Sequence, residues 1–397
     1  MQNKNKGITL IALIITIIIL LILVGVSINL AIKGDLFGSA EKAVLGTNDK
    51  TAQEQTRVDE LMGELGRVEE QQRQDNLPGT RVTENTKYVS NGKTAWIPKG
   101  FTVSGIKSEQ SIDNGLVIYD IPEGITPDWT NPDSVKTKYN QFVWIPVEVK
   151  SSDTENSIAS FYRSAWTVNV STGGDRTTGL STSYTEPNST NDTADKTGIA
   201  GQITELTKSI YKYGGFYIGR YEAGTAAPRT SGSSQTEEFV VQQDKYPYIY
   251  ITWGKSMSDV SEGAVYLCNN LYSSTNTNYG ATSMLCSGVS WDSMLDFVKD
   301  SSHSVTDSAT WGNYYNSETY KVYRGSLYSN SGWSTANTTT GTEVTKNSSV
   351  LLTTGATERN SSKNIYDVAG NCWERTTESD SSSYRVDRGR QLQPRWF

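Results

Sequence analysis

The sequence predicts an α+β protein: an N-terminal transmembrane helix and a helical stalk, followed by a loop-rich domain of short strands and a few helices. Three observations carry this expectation. Residues 8–32, "ITLIALIITIIILLILVGVSINLAI", hold no charge over 25 positions. Residues 39–75 are polar but repeat an apolar side chain at three- and four-residue steps. From Thr86 onward the pattern changes to short apolar runs separated by Gly, Pro, Asn and Ser, the punctuation of strands and turns.

The first segment as a helix spans roughly 37 Å at 1.5 Å per residue, more than the ~30 Å hydrocarbon core of a bilayer. Lys4 and Lys6 precede it, so the N-terminus is expected in the cytoplasm and the remainder outside, with residues 8–32 in membrane lipid. The next segment places Val58, Leu61, Met62, Leu65 and Val68 on one helical stripe, suited to packing on the domain, to a short coiled coil or to a plain stalk. "DNLPGT", 75–80, supplies the turn that ends it.

In the outer region, "AWIPKGFTVSG", "GLVIYDIPEG" and "NQFVWIPVEVK" read as strands, and "YGGFYIGRYEAG" as a strand with a Gly-rich entry. Residues 165–200 are too polar to bury much and read as a long loop. Met257, Val260, Ala264, Leu267 and Leu271 define one helical face, and Trp291, Met294, Leu295 and Val298 a second. Domains are therefore expected at 1–7 (leader), 8–32 (membrane helix), 33–75 (stalk), 76–138 (β-rich lead-in), 139–389 (main domain) and 390–397 (an aberrant tail).

Composition narrows the chemistry. Net charge is -7 with no dense Lys/Arg block, so nucleic acid is not an expected partner. Ten Trp and 22 Tyr stand in a background of Ser, Thr, Asn and Gly, so aromatics carry the packing and part of the surface. The three cysteines, Cys268, Cys286 and Cys372, show neither metal nor disulfide-framework spacing. The single histidine, His303, excludes a His-rich zinc site and reads as a surface residue. No phosphate-cradling glycine motif is present.

Two resemblances add to this. "NKGITLIALIITII" resembles the leader of type IV prepilins and pseudopilins, which implies cleavage by a prepilin peptidase between Gly7 and Ile8 and methylation of Ile8. Ala12 stands where that family carries a Glu that supports filament docking, so a filament role is the weaker implication.

"FYIGRYEAG", "YPYIYITWGKSMSDVSEGAVYL", "GVSWDSMLDFV" and "NIYDVAGNCWER", in this order, resemble the formylglycine-generating enzyme and sulfatase-modifying-factor family. That resemblance implies a loop-rich C-type lectin-like domain over residues 139–389. Its signature maps onto Asn364, Tyr366, Asp367, Gly370, Asn371, Trp373 and Glu374, with Arg388 and Gly389 beginning the Arg-Gly-Gly that follows. Cys372 and Arg375 depart from the pattern. Trp373 can wedge the turn against the core. Asn371 and Glu374 offer hard oxygens three residues apart, so the turn is either a calcium site or a turn stapled by hydrogen bonds without metal.

The family's enzymes hold copper on two cysteines beyond the Arg-Gly-Gly. No cysteine follows Cys372 here, so neither copper nor catalysis is expected. Non-catalytic members, among them the variable proteins of diversity-generating retroelements, bind ligands near the carboxyl end. The tail "GRQLQPRWF" departs from that pattern, but suitable synonymous codons in another frame give Gly-Asn-Tyr-Asn-x-Gly-Gly, so the domain reads as truncated by a frameshift or ending naturally at this point. The expected function is thus a membrane-anchored, extracytoplasmic binder of an unidentified ligand or protein. The alternatives are a minor pilin or pseudopilin subunit and a copper-dependent formylglycine-generating oxidase.

Overall fold

The structure is a computed structural model. It describes residues 40–163, 186 and 198–389 apart from 234, 257, 306–307, 330–331, 349 and 380–384, with the backbone alone over 40–53. The chain divides into a first unit ending at Gln71 and a second comprising residues 72–397.

The first long element is α1 (Ala40–Asp75). It runs unbroken through Gly63 and Gly66 and stops where "DNLPGT" begins. Its stripe of Val58, Leu61, Met62, Leu65 and Val68 is exposed to solvent.

The fold class expected above needs correction. The described chain is a mixed α+β protein, 23% helix and 24% strand, so neither class dominates. No helix among the described residues is long and apolar enough to cross a membrane, because the longest, α1, is rich in Glu, Gln, Asp and Arg. The described residues are thus a polar helix followed by a mixed domain of small sheets. Residues 8–32, the Gly7–Ile8 junction and the 390–397 tail lie outside the described residues.

The second unit is organised by one antiparallel sheet. After the hairpin β1 (Thr86–Ser90) and β2 (Lys93–Ile97) come β3 (Thr102–Val103), β4 (Val117–Tyr119), β5 (Gln141–Pro146) and β6 (Gly215–Gly219), paired in the order β3-β4-β5-β6. Alternation along β5 divides the interior. Val143 and Ile145 face one core, where they pair with Ile218 and Phe216 of β6. Trp144, paired with Tyr217, faces a second core with Ala95, Ile97 and Phe101.

Among the described residues four helices accompany the sheet: α2 (Pro132–Lys136), α3 (Ile199–Tyr213), α4 (Ala264–Leu271) and α5 (Gly288–Val298). Helix α5 matches its expected face, burying Trp291, Met294, Leu295 and Val298 in the first core. Ser287 caps it, accepting from the Ser290 N–H at 3.1 Å. Helix α4 starts seven residues later than the periodicity from Met257 suggests. Gly263 at φ 90° turns the chain just before Ala264, leaving Val260 in the preceding loop. Helix α3 was not anticipated and closes on Gly214 in the left-handed conformation.

The remaining strands form small ladders. β7 (Gly224–Thr225) pairs β8 (Tyr246–Pro247), and β9 (Tyr320–Val322) pairs β12 (Thr342–Val344). Strands β10 (Ser326–Ser329), β11 (Gly332–Thr335) and β13 (Leu351–Leu352) make a three-stranded sheet in the order β11-β10-β13. The signature region contributes β14 (Ser361–Ser362) with β15 (Ile365–Tyr366), then β16 (Trp373–Ser379) with β17 (Arg385–Gly389).

Candidate functional site

The signature "NIYDVAGNCWER" is a turn-rich link between β15 and β16. Asn364, Asp367, Gly370 and Asn371 all have positive φ, at 64°, 62°, 99° and 65°, the residue types that tolerate the left-handed region. At Gly370 a Cβ would lie 2.2 Å from the Asn313 carbonyl oxygen, so only glycine permits the close approach of these backbones.

That approach is stapled from both sides. The Asn313 N–H donates to the Ala369 carbonyl at 2.8 Å, and the Asn371 N–H donates to the Asn313 carbonyl at 3.0 Å. The Asn371 side chain, 1% exposed, completes the staple. Its Oδ1 accepts from Asn313 Nδ2 at 3.0 Å and from the Leu352 N–H at 2.9 Å. Its Nδ2 donates to Glu222 Oε2 at 2.7 Å and to the Leu352 carbonyl at 3.2 Å. Glu222 Oε1 also accepts from the Cys372 N–H at 3.1 Å, so one carboxylate from the end of "FYIGRYE" clamps two consecutive signature residues.

The upstream half of the signature is tied to the central sheet by Arg220. The Tyr366 N–H donates to the Arg220 carbonyl at 2.9 Å, and the guanidinium lies 5.5 Å from the ring centres of both Tyr221 and Tyr366. Arg220 Nη2 donates to Asn364 Oδ1 at 3.4 Å, while Asn364 Nδ2 donates to the Gly115 carbonyl at 2.8 Å. Arg220 also pairs with Glu109 at 2.8 Å, both side chains being nearly inaccessible. Glu109 is further held by Lys136 at 3.1 Å, Ser104 at 2.7 Å and Tyr119 at 2.8 Å. Burial alone would raise its pKa, but the Arg220 and Lys136 charges outweigh it and hold the carboxyl below its ordinary value.

Downstream, Arg388 of β17 grips Glu378 with two bonds, Nε to Oε2 at 2.7 Å and Nη2 to Oε1 at 2.6 Å. Arg163 joins the same carboxylate and binds Asp292 at 2.5 Å. Gly389, at φ 73°, sits where a Cβ would strike Glu374 Oε2. Arg388 and Gly389 thus belong to the support of β16. Trp373, expected to wedge the turn inward, points outward and is 54% exposed.

Three carboxyl groups surround Cys372. Burial pushes Asp367 up to about 7, its Oδ2 accepting from the Gly355 N–H at 2.7 Å. Burial and then the Asp367 charge raise Glu222 well above the usual carboxylate range, and burial followed by Glu222 does the same for Glu374. Burial raises all three thiols: Cys372 well above its ordinary value, Cys286, and Cys268 to about 12.

The Asn371–Glu374 pair does not fit a calcium ion in this arrangement. Both acceptor directions of Asn371 Oδ1 are taken by N–H donors, which leaves no lone pair for a cation. In this arrangement the Asn371 side chain staples the turn. Asn313, Glu222 and Arg220 are the residues that sequence reading did not single out.

The signature borders a cleft of about 1170 Å3. Cys372, Trp373, Glu374 and Arg375 line one part of it, with Glu222 and all three cysteines along its wall. Trp96, Tyr213, Tyr217 and Tyr279 line the rest together with aliphatic side chains from α3 and α4. An apolar wall with a few carboxyl groups is the ordinary make-up of a ligand pocket. No family model, curated protein or solved structure matches the chain.

Proposed function

We propose that the second unit is a binding module, a non-catalytic relative of the formylglycine-generating enzymes that receives an apolar or amphipathic ligand in the cleft beside the signature turn. The observation that carries the reading is the cleft itself, aromatic-walled and bordered by a turn that Asn313, Leu352 and Glu222 staple through the Asn371 side chain. Rigid support of this kind favours recognition, because a preformed pocket loses little entropy when it is filled. The burial that raises the thiols also favours binding over thiol chemistry, since the thiolate is the nucleophile and the metal ligand.

The test uses the full chain and a fluorescent naphthalene sulfonate probe. Saturable binding is expected with one probe per chain, and Ser209→Trp, which adds an indole to the α3 wall of the cleft, is expected to abolish it. Absent binding, or equal binding by the variant, refutes the reading. Conversion of a peptide cysteine to an aldehyde by the copper-loaded protein would refute its non-catalytic part.

A further inference from the structure

A second surface lies on the three-stranded sheet, and none of its residues lines the cleft. Tyr328 of β10 and Trp333 of β11 are direct cross-strand partners, with ring centres 5.5 Å apart. Tyr246 of β8 also meets Trp333, edge-on at 4.7 Å. Tyr328 is 40% exposed and the other two rings are half-buried. The next rung on the same face pairs Ser326 with Thr335, so a hydroxyl rung stands beside an aromatic one. The tyrosine hydroxyls, the indole N–H and the side-chain hydroxyls of Ser326 and Thr335 have no hydrogen-bond partner among the described residues.

The hairpin is held from below. Leu327 and Leu352, paired across β10 and β13, are buried in a separate small core with Val322 and Val344. The alternation that buries Leu327 keeps Tyr328 outward, so these rings are not there to fill an interior.

Charge decides what such a face fits. Residues 326–342, "SLYSNSGWSTANTTTGT", hold no Asp, Glu, Lys, Arg or His, although charged residues make up 20% of the chain. Arg324, just before the run, pairs with Asp133 at 3.4 Å. An anionic polymer would need cations here, and a peptide partner would ordinarily leave a rim of charged residues. A sugar ring needs neither. Its C–H face stacks on an aromatic ring, and its hydroxyls both donate to and accept from Ser, Thr, Tyr and Trp groups.

We propose that the Tyr328–Trp333 face is a binding platform for a neutral oligosaccharide, with Tyr246 bracing Trp333 and the Ser326–Thr335 rung supplying hydroxyl contacts. It binds independently of the cleft.

Isothermal titration calorimetry of the full chain with cellohexaose, maltohexaose, chitohexaose and mannohexaose tests this. At least one is expected to bind. Trp333→Ala and Tyr328→Ala are each expected to weaken that binding about tenfold, as loss of a central aromatic contact does. Trp333→Phe keeps a stacking ring and is expected to retain most of the affinity, with circular dichroism confirming the fold of all variants. Tyr323→Ala, outside the rung, is expected to bind as the parent does. Absence of binding to all four sugars overturns the proposal. So does parental affinity in folded Trp333→Ala and Tyr328→Ala, or equal binding of a sulfated polysaccharide at this face. Ser209→Trp is expected to leave sugar binding intact, which separates failure here from failure of the cleft reading.

Discussion

Replacing Arg220 by Met removes the cation that links the central sheet to the signature turn. Glu109 would keep Lys136, Ser104 and Tyr119, but it would lose its closest charged partner while remaining 1% exposed. Breaking a buried pair from one side costs about 3–5 kcal/mol, because it leaves a desolvated charge incompletely matched. The two flanking aromatic contacts of Arg220 go with it. The pair also leaves a signature in pH. With Arg220 present, Glu109 titrates below its ordinary value of 4.5, so its stabilising contribution is in place above that pH and is lost as pH falls. Without Arg220, burial dominates, the folded-state pKa rises, and the stability gap between parent and variant widens as pH rises. Urea unfolding followed by circular dichroism at about pH 4 and about pH 7 measures both effects. In the double variant Arg220→Met/Glu109→Gln, the cost is expected to fall short of the sum of the single costs by about 2 kcal/mol. A single-variant loss below about 1 kcal/mol, or a gap that narrows with rising pH, would refute this account of the pair.

Gly370→Ala is expected to destabilise the domain by more than about 2 kcal/mol in the same assay, since its φ of 99° disfavours a side chain and the Asn313 carbonyl occupies the space of a Cβ. Asp367 keeps its proton to about pH 7 in the fold and loses it near 3.8 when unfolded, so its contribution is complete at low pH and lost as pH rises through about 7. Asp367→Asn should therefore flatten the decline in unfolding free energy across that window, and an unchanged slope would count against it. Calcium and a chelator should both leave the thermal midpoint unchanged, because Asn371 Oδ1 is occupied by N–H donors; a calcium-dependent rise would overturn the fit test.

Local periodicity was enough for several elements. The spacing of Trp291, Met294, Leu295 and Val298 is the buried face of α5, and "NQFVWIP" is the strand whose two sides divide the cores. Helix α3 was equally regular, with Ile199, Ile203, Leu206 and Ile210 ahead of Gly214, but it stands between the polar loop expected to end at residue 200 and the strand expected from Tyr213, and no element was expected there. The signature's turn chemistry was legible because Asn, Asp and Gly tolerate positive φ. Its partners were not. Asn313 lies 58 residues from Asn371, and Glu222 lies 149 residues away, separations over which no local pattern reports a contact. Trp373 shows the complementary error: a large apolar residue next to a buried turn can still face water when it stands at the exposed end of its strand.

The two-sided burial of β5 limits how this chain can change in length. Deleting or inserting one residue in that strand would turn Trp144 towards α5 and send Val143 or Ile145 into the space beside Ala95, exchanging occupants of both cores at once. Close-packed interiors offer no spare volume for such an exchange. The exposed turn at Asn91 and Gly92 between β1 and β2 carries no such coupling, so sequence length is free to drift there while β5 stays fixed, and a library built on this scaffold should place its insertions accordingly.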